Sequence, residues 1–225
     1  MSLEKKIWQE NCREKLLLYV ISSSESLRGS THEAVVEKAL SGGATAIQLR
    51  DKHLTTRELI KVGDNIRKLT RQYDALFLVN DRLDIALAVE ADGVHLGQED
   101  MPLWSCRELV GPDFIIGISA RTVEQAREAE KGGADYLGSG PVYATSTKED
   151  SGPVLGLQGL AEICHAVSLP VLGIGGIEAP QSGKVLQAGA AGVAVVSAVV
   201  SAEDPAEASR EFRKVMAEEG KGDFG

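Results

Sequence analysis

The sequence predicts a single (β/α)8 TIM barrel, an α/β fold, and two features of the 225-residue chain support this prediction. Short apolar runs of strand length alternate with segments whose apolar residues recur at helical spacing, as the crossovers of a parallel sheet require. The chain length is also typical of one such barrel. An open, doubly wound sheet is the main alternative, but it would rarely need so many regular units in this length.

The strand candidates are short, apolar and β-rich, and each is followed by a helical pattern. In Glu58–Tyr73, for example, the apolar residues lie three or four positions apart and can form one buried stripe. We expect one domain over residues 1–225, with an extra N-terminal helix over residues 1–14 and a flexible tail over residues 219–225. The predicted strands are Leu16–Ser22, Ala46–Arg50, Leu76–Asn80, Gly93–Gly97, Phe114–Ser119, Tyr136–Gly140, Pro170–Gly176 and Gly192–Val199.

A weak internal repeat precedes the even-numbered strands. Its glycines are expected to end the preceding helices in the left-handed conformation, so the repeat marks where strands begin and carries no chemistry. The repeated pieces are Gly42-Gly43-Ala44, Ala91-Asp92-Gly93, Gly132-Gly133-Ala134 and Gly189-Ala190.

Composition narrows the possible partners. The net charge is −9 and Lys and Arg are not clustered, which argues against a nucleic-acid partner. No apolar run is long enough to span a bilayer, and the charged N-terminus lacks the apolar segment of a signal peptide. We therefore expect a cytoplasmic protein with no membrane partner, and the sequence leaves homo-oligomerisation open. Cys12, Cys106 and Cys164 have no CxxC spacing and are expected to be reduced thiols.

Polar residues are concentrated where the predicted strands end, which is where such barrels carry their active sites. Strand alternation makes Gln48 and Arg50 face the barrel mouth, while the apolar residues beside them face the helices. By the same rule His95 and Gly97 face inward. An arginine buried at the mouth is costly without an anionic partner, so Arg50 indicates a bound anion.

Two carboxylates follow strands 3 and 4. Taken alone, Asp81 could be the N-cap of a helix over Leu83–Glu90, and Asp100 could cap the helix after Pro102. Together, two carboxylates beside cations suit Mg²⁺ that bridges phosphate oxygens, because Mg²⁺ prefers one or two carboxylates plus phosphate and water.

The remaining members of this group also have structural alternatives. Lys52 and Lys148 could be solvated surface residues, His95 a core histidine and Ser119 a strand-end cap. Their convergence at one mouth favours the other interpretation, in which the cations and Ser119 take up the charge of a diphosphate.

A second phosphate is predicted at strands 7 and 8, the usual phosphate site of these barrels. The glycines Gly175 and Gly176 end strand 7, although they could serve a tight turn alone. The segment Pro141–Pro153 after strand 6 is long for a βα loop and carries the hydroxyl side chains Thr145, Ser146 and Thr147 directly before Lys148. We expect it to be a lid.

These residues fall in motifs that resemble the thiamine phosphate synthase family from about Leu16 to Pro205. Each motif is weak alone, but seven in order at eight-strand spacing form a specific signal. The motifs are QLRDK (48–52), NDR (80–82), DGVHLGQED (92–100), GISA (117–120), GPVYATSTK (140–148), GIGGI (173–177) and VVSA (195–198).

The resemblance implies an enzyme that joins a hydroxymethylpyrimidine diphosphate to a thiazole phosphate, which in the family can carry a carboxylate that leaves as CO2. The products are thiamine phosphate and diphosphate. The cofactor would be Mg²⁺, and the partners would be these two small substrates. The resemblance assigns Asp81 and Asp100 to Mg²⁺, Arg50, Lys52, Asn80, Ser119 and Lys148 to the diphosphate, Gln48, His95 and Gly97 to the pyrimidine, and Thr145, Thr147, Ile174, Gly176, Val196 and Ser197 to the thiazole phosphate.

Two departures and two rival functions accompany this resemblance. Ala144 stands where the family often has proline, and Arg121 where it commonly has histidine.

A paralogous thiazole tautomerase would need no site for a metal and a diphosphate. A non-catalytic phosphate-binding barrel would not need the aspartate pair and a lysine in the lid. The set of residues at the mouth therefore favours the synthase, with Arg50, Lys52, Ser119 and Lys148 as the catalytic group.

Overall fold

The computed structural model describes residues 11–145 and 153–219. Within these residues, eight parallel strands close into a barrel in sequence order, which confirms the predicted fold. The strands are β1 Leu18–Ser22, β2 Ala46–Leu49, β3 Leu76–Asn80, β4 Gly93–Leu96, β5 Ile115–Ser119, β6 Tyr136–Ser139, β7 Val171–Ile174 and β8 Gly192–Val195.

Helices surround the barrel. Residues 11–15 are helical, in agreement with the expected N-terminal helix, while residues 1–10 and 220–225 of the predicted ends lie outside the described residues. No helix in the described part of the chain combines the length and apolarity needed to cross a membrane. The helices are α1 His32–Ser41, α2 Thr56–Gln72, α3 Leu83–Ala88, α4 Leu103–Val110, α5 Val123–Lys131, α6 Gly156–Ala166, α7 Ala179–Gln187, α8 Ser197–Val200 and α9 Pro205–Glu219, and a 3-10 turn spans Ser24–Ser26.

Strand alternation separates two apolar layers. Ile47 and Leu49 belong to the large layer between sheet and helices, together with the outward residues of the other strands. Tyr19, Leu78 and Tyr136 belong to a smaller cluster that fills the barrel interior. The inward direction predicted for Gln48 is confirmed, because it is 2% exposed and contacts Tyr19.

Paired hydrogen bonds at the bottom of the barrel mark the entry of each even-numbered strand, next to the internal repeat. The residue just before each of strands β2, β4, β6 and β8 donates its backbone N–H to a carbonyl at the start of the neighbouring strand that precedes it in sequence. The four N–O distances are 2.8–2.9 Å. Where that residue has a side-chain oxygen, the oxygen also accepts the N–H of the same neighbour, at 2.8–3.0 Å. We call these pairs strand clamps: Thr45 with Leu18, Asp92 with Phe77, Asp135 with Ile116, and Ala191 with Val171, the last through backbone alone.

Arginines from the helix layer reinforce the two acidic strand clamps. Arg67 of α2 donates two hydrogen bonds to the Asp92 carboxylate, at 2.8 and 2.9 Å. Arg107 of α4 donates to Asp135 at 2.7 Å and also to backbone carbonyls around the entry to β5. These partly buried, paired charges tie helices α2 and α4 to the strand entries beneath the mouth.

The glycine repeat behaves as predicted at three entries and differently at the fourth. Gly43, Gly133 and Gly189 are left-handed, with φ of 104°, 85° and 99°. Before β4 the left-handed residue is Glu90, with φ 51°, so the prediction of a glycine turn there was wrong. Gly93 lies within the strand, where a Cβ would overlap the Ile115 backbone. Close strand packing explains this glycine.

The predicted extent of the eighth strand was also wrong. β8 ends at Val195, Val196 turns the backbone with φ −116° and ψ −90°, and Ser197–Val200 form helix α8. The run Val193–Val200 is apolar and mostly β-branched, and a short run of this kind fits a buried strand and a buried helix equally well. The other predicted strands overrun their ends by at most two residues.

Candidate active site

Gln48 lies near the end of strand β2, and Arg50 directly follows the strand at the mouth. The Gln48 amide donates to the Tyr19 hydroxyl at 2.8 Å. The Arg50 side chain is 16% exposed, and its charge partner is Glu25, with 3.7 Å between Nη1 and Oε2. Glu25 thus supplies part of the negative charge that a buried arginine requires. Because 3.7 Å is too long for a hydrogen bond, the Arg50 guanidinium can still donate hydrogen bonds to a further anion.

Asp51, between Arg50 and Lys52, anchors the loop after β2, which the sequence reasoning missed. Its Oδ1 accepts the backbone N–H of His53 and of Leu54, at 2.8 and 2.9 Å. Its Oδ2 lies 3.0 Å from His32 Nε2. These bonds fix the turn that carries both predicted anion-binding cations.

The Asp51 contacts extend to the end of β1, because His32 Nδ1 lies 2.7 Å from the Ser22 hydroxyl. The resulting Ser–His–Asp line was not anticipated, and it is not a nucleophilic triad, since Ser22 is 0% exposed. Burial alone would raise the pKa of Asp51, but hydrogen bonds to its carboxylate lower that pKa to about 2. The donors are Ser24, the backbone N–H of His53 and Leu54, and His32.

Asp81 follows β3 in a left-handed conformation with φ 60°, uncommon for a residue with a side chain. Its backbone N–H donates to the His95 carbonyl at 2.9 Å, which places it beside the end of β4. The alternative that Asp81 caps α3 was wrong, because the N-cap is Arg82 and its side chain makes no capping bond. Unusual backbone of this kind is concentrated at functional sites.

Asp100 also lies at the end of β4. Its Oδ2 accepts the Gly97 N–H at 2.7 Å, and the N-cap of α4 is Pro102, so the capping alternative for Asp100 was wrong as well. A Cβ on Gly97 would come within 2.9 Å of the same carboxylate oxygen. Glycine at this position therefore lets the Asp100 carboxylate fold over the strand end.

The donor set of Asp81 and Asp100 suits a metal that is completed by its ligand. Among the described residues no group of three or more His, Cys, Asp or Glu side chains forms a metal cage. Mg²⁺ commonly uses one or two carboxylates and takes its other oxygens from phosphate and water. The pair beside β4 therefore fits Mg²⁺ that arrives with a diphosphate.

A line of hydrogen-bonded side chains crosses the barrel beneath the mouth. The Tyr19 and Tyr136 hydroxyls are 2.9 Å apart, and Tyr136 lies 3.0 Å from His95 Nδ1. His95 Nε2 lies 3.0 Å from the Ser119 hydroxyl. Sequence reasoning placed His95 and Ser119 at the mouth but missed both tyrosines. They belong to β1 and β6, 117 residues apart, so no local spacing links them.

The end of β7 packs against the loop after β6. Gly175 and Gly176 are left-handed, with φ of 95° and 65°. Tyr143 N–H donates to the Gly175 carbonyl at 3.0 Å, and a Cβ on Gly176 would overlap the Tyr143 and Ala144 carbonyls. A tight turn and close loop packing therefore account for both glycines, and their phosphate-binding role stays a prediction.

The other predicted residues are also found near strand ends. Asn80 ends β3, Ile174 ends β7, and Lys52 is exposed in the loop after β2. Val196 joins β8 to α8, Ser197 begins α8, and Thr145 is the last described residue before the gap. Thr147 and Lys148 lie outside the described residues, so the lid and its lysine stay predictions.

Comparison with known proteins gives one consistent result. A model of the thiamine monophosphate synthase family matches residues 18–199. The chain is 53% identical over 199 residues to the thiamine-phosphate synthase of Moorella thermoacetica, covering 88% of this chain and 95% of that protein. It is 51% identical over 208 residues to the one from Pyrococcus furiosus, covering 92% and 98%.

Solved structures agree. The thiamine phosphate pyrophosphorylase from Pyrococcus furiosus superposes with a TM-score of 0.86 at 50% identity, covering 93% of this chain and 99% of that one. A native KDPGal structure gives a TM-score of 0.67 at 17% identity, a likeness of fold alone. The seven motifs, the barrel and these matches lead to one conclusion. The chain belongs to the thiamine monophosphate synthase family.

Proposed function

We propose that the protein is a transferase that condenses 4-amino-2-methyl-5-(diphosphooxymethyl)pyrimidine with a thiazole phosphate, giving thiamine phosphate and diphosphate. The observation that carries the proposal is the pair of non-capping aspartates, Asp81 and Asp100, beside the end of β4 in a member of this family. Neither a thiazole tautomerase nor a non-catalytic phosphate binder requires this pair together with Arg50 and Lys52, which follow β2.

Asp81 and Asp100 are the residues that would hold Mg²⁺. When bound, Mg²⁺ would neutralise charge on the diphosphate oxygens and help that group to leave. Arg50, Lys52, Asn80 and Ser119 would donate to the same group, as would Lys148. The hydrogen bonds of Asp51 support this assignment, because they fix the turn from Asp51 to Leu54, which contains Lys52 and directly follows Arg50.

The chemistry needs no protein nucleophile. The C–O bond to diphosphate breaks, the oxygen keeps the electron pair, and the electron-rich aminopyrimidine carries the developing positive charge. The thiazole nitrogen then forms the new bond to the exocyclic carbon. The protein stabilises the leaving anion and positions the two reactants, and one such charge-stabilising contact is typically worth about 3–4 kcal/mol.

The two substrates would occupy different parts of the mouth. Gln48, His95 and Gly97 would line the pyrimidine pocket, since Gln48 and His95 face the interior below the cations. Thr145, Thr147, Ile174, Gly176, Val196 and Ser197 would hold the thiazole phosphate near the ends of β7 and β8. A carboxylate on the thiazole would leave as CO2. The partners are these small molecules.

The decisive test is formation of thiamine phosphate from both substrates, with Mg²⁺ and with EDTA. We expect product only with Mg²⁺, and a loss of at least a hundredfold in turnover for Asp81→Asn and for Asp100→Asn. Asp64→Asn, an exposed aspartate of α2, is the matched control. Product formation unaffected by EDTA would contradict the metal role. Isomerised thiazole without any condensation would favour the tautomerase.

A further inference from the structure

The side chains that cross the barrel form a continuous hydrogen-bonded row, here called the interior chain, from Gln48 to Ser119. Its contacts are 2.8 Å from Gln48 Nε2 to the Tyr19 hydroxyl, then 2.9, 3.0 and 3.0 Å through Tyr136 and His95 to Ser119. Each member comes from a different strand, so the closed barrel brings them together.

Glycines make room for this row. A Cβ on Gly117 of β5 would overlap the Tyr136 ring, and a Cβ on Gly138 would come within 3.1 Å of His95 Cε1. The rings of Tyr19 and Tyr136 lie 6.0 Å apart, and those of His95 and Tyr136 lie 5.5 Å apart, both tilted. The interior chain is therefore a packed, fixed feature.

The hydrogen bonds of the interior chain run in one direction from donor to acceptor, and Gln48 sets this direction. The amide N–H of Gln48 donates to the Tyr19 oxygen, so the Tyr19 proton must find another acceptor. Tyr19 is 1% exposed, and the Tyr136 oxygen is the acceptor within reach among the described residues. The opposite direction would leave a buried hydroxyl proton unbonded, at a cost of about 1–3 kcal/mol.

The direction continues to the mouth. Because the Tyr136 oxygen accepts a hydrogen bond from Tyr19, the Tyr136 hydroxyl donates a hydrogen bond to His95 Nδ1. Nδ1 therefore carries no hydrogen, and the ring hydrogen of His95 is on Nε2. Ser119 Oγ accepts a hydrogen bond from this Nε2–H, which leaves the Ser119 hydroxyl hydrogen to donate to a ligand oxygen. Burial also raises the pKa of Tyr19 and of Tyr136, which keeps both hydroxyls protonated.

We propose that Tyr19 and Tyr136 are positioning residues that hold His95 in its Nε2–H tautomer and so make Ser119 a hydrogen-bond donor to the leaving diphosphate. This proposal rests on the proposed function only in its last step. The tautomer of His95 is a property of the protein without substrates. The two levels can therefore be tested separately.

The first test is ¹⁵N NMR of the histidine rings in the substrate-free protein, with the His95 signals assigned by their loss in His95→Gln. We expect a protonated Nε2 and an unprotonated, hydrogen-bonded Nδ1. An Nδ1–H tautomer would mean that the interior chain runs the other way, and the proposal would fall whether or not the enzyme makes thiamine phosphate.

The second test is a double-mutant cycle on product formation. Tyr136→Phe should lower kcat by roughly tenfold, because Ser119 is no longer a fixed donor to a charged group. In a Ser119→Ala background the same substitution should change kcat by less than about twofold. Tyr73→Phe, at the end of α2, is the control. Equal losses in both backgrounds would show a structural role for Tyr136 and overturn the proposal.

Discussion

Asp51 shows how one buried carboxylate can organise a loop that carries predicted anion ligands. It holds two backbone N–H groups of that loop and, through His32, connects the loop to the end of β1. Its side chain is 0% exposed, so these bonds are formed away from water and are strengthened by the low dielectric. The same bonds make its contribution to stability depend on pH.

We predict a pH-dependent stability loss for Asp51→Asn. The folded-state pKa of about 2 lies below the ordinary 3.8, so the charged form stabilises the fold above pH 4, and this stabilisation is lost as the pH falls towards 2. The difference in unfolding free energy from wild type should be about 2 kcal/mol at pH 7 and should shrink below pH 4. Urea unfolding measures it, with Asp64→Asn as control. A difference that does not change with pH would contradict this account.

At the residue scale, the sequence predicts directions better than partners. The alternation of side chains along a strand correctly predicted that Gln48 and His95 face the barrel interior. Alternation does not predict which strands face each other across the closed barrel, so it does not predict the contact between Tyr19 and Tyr136. It also does not predict the contact between Ser22 and His32. Asp81 and Asp100 precede helices by distances that also suit caps, and only the backbone geometry excludes the caps.

At the scale of elements, the strand clamps hold the entries of the even-numbered strands, directly after or within the internal repeat. The residue before an even strand uses its backbone N–H and, where present, its side-chain oxygen to hold the start of the preceding strand. Ala191 occupies the fourth position and makes only the backbone bond. The side-chain bond is therefore an addition that three of the four positions carry in the described structure.

We predict that Asp135→Ala destabilises the barrel by about 3 kcal/mol, because it leaves the Ile116 N–H and the Arg107 guanidinium without a shared buried acceptor. Urea unfolding at neutral pH measures the loss. Glu128→Ala, an exposed residue of α5, is the control and should change stability by less than about 0.5 kcal/mol. Equal stability of the two variants would contradict a clamping role.

Element boundaries were predictable where turn chemistry is local. The left-handed glycines before β2, β6 and β8 follow from sequence alone. The end of β8 does not, because the valines around Ser197 suit a strand as well as the helix that they form. The reversal at Val196 depends on how the chain packs after the barrel closes.

At the scale of the whole molecule, the protein is acidic but is proposed to bind anions. The net charge of −9 would repel a diphosphate in general, so attraction must come from focused cations and from a metal. Arg50 has Glu25 as its charge partner, which partly neutralises it in the absence of ligand. Diphosphate binding would therefore depend most on the metal that Asp81 and Asp100 would hold together with it.

The most direct measurement is a titration of Mn²⁺, as a spectroscopic substitute for Mg²⁺, followed by loss of the free-ion EPR signal with and without diphosphate and corrected for the Mn²⁺ that diphosphate binds in the absence of protein. We expect wild type to bind Mn²⁺ at least tenfold more tightly when diphosphate is present. In Asp81→Asn and Asp100→Asn this tight binding should be lost, while Asp64→Asn should keep it. Unchanged binding in both site variants would contradict the account.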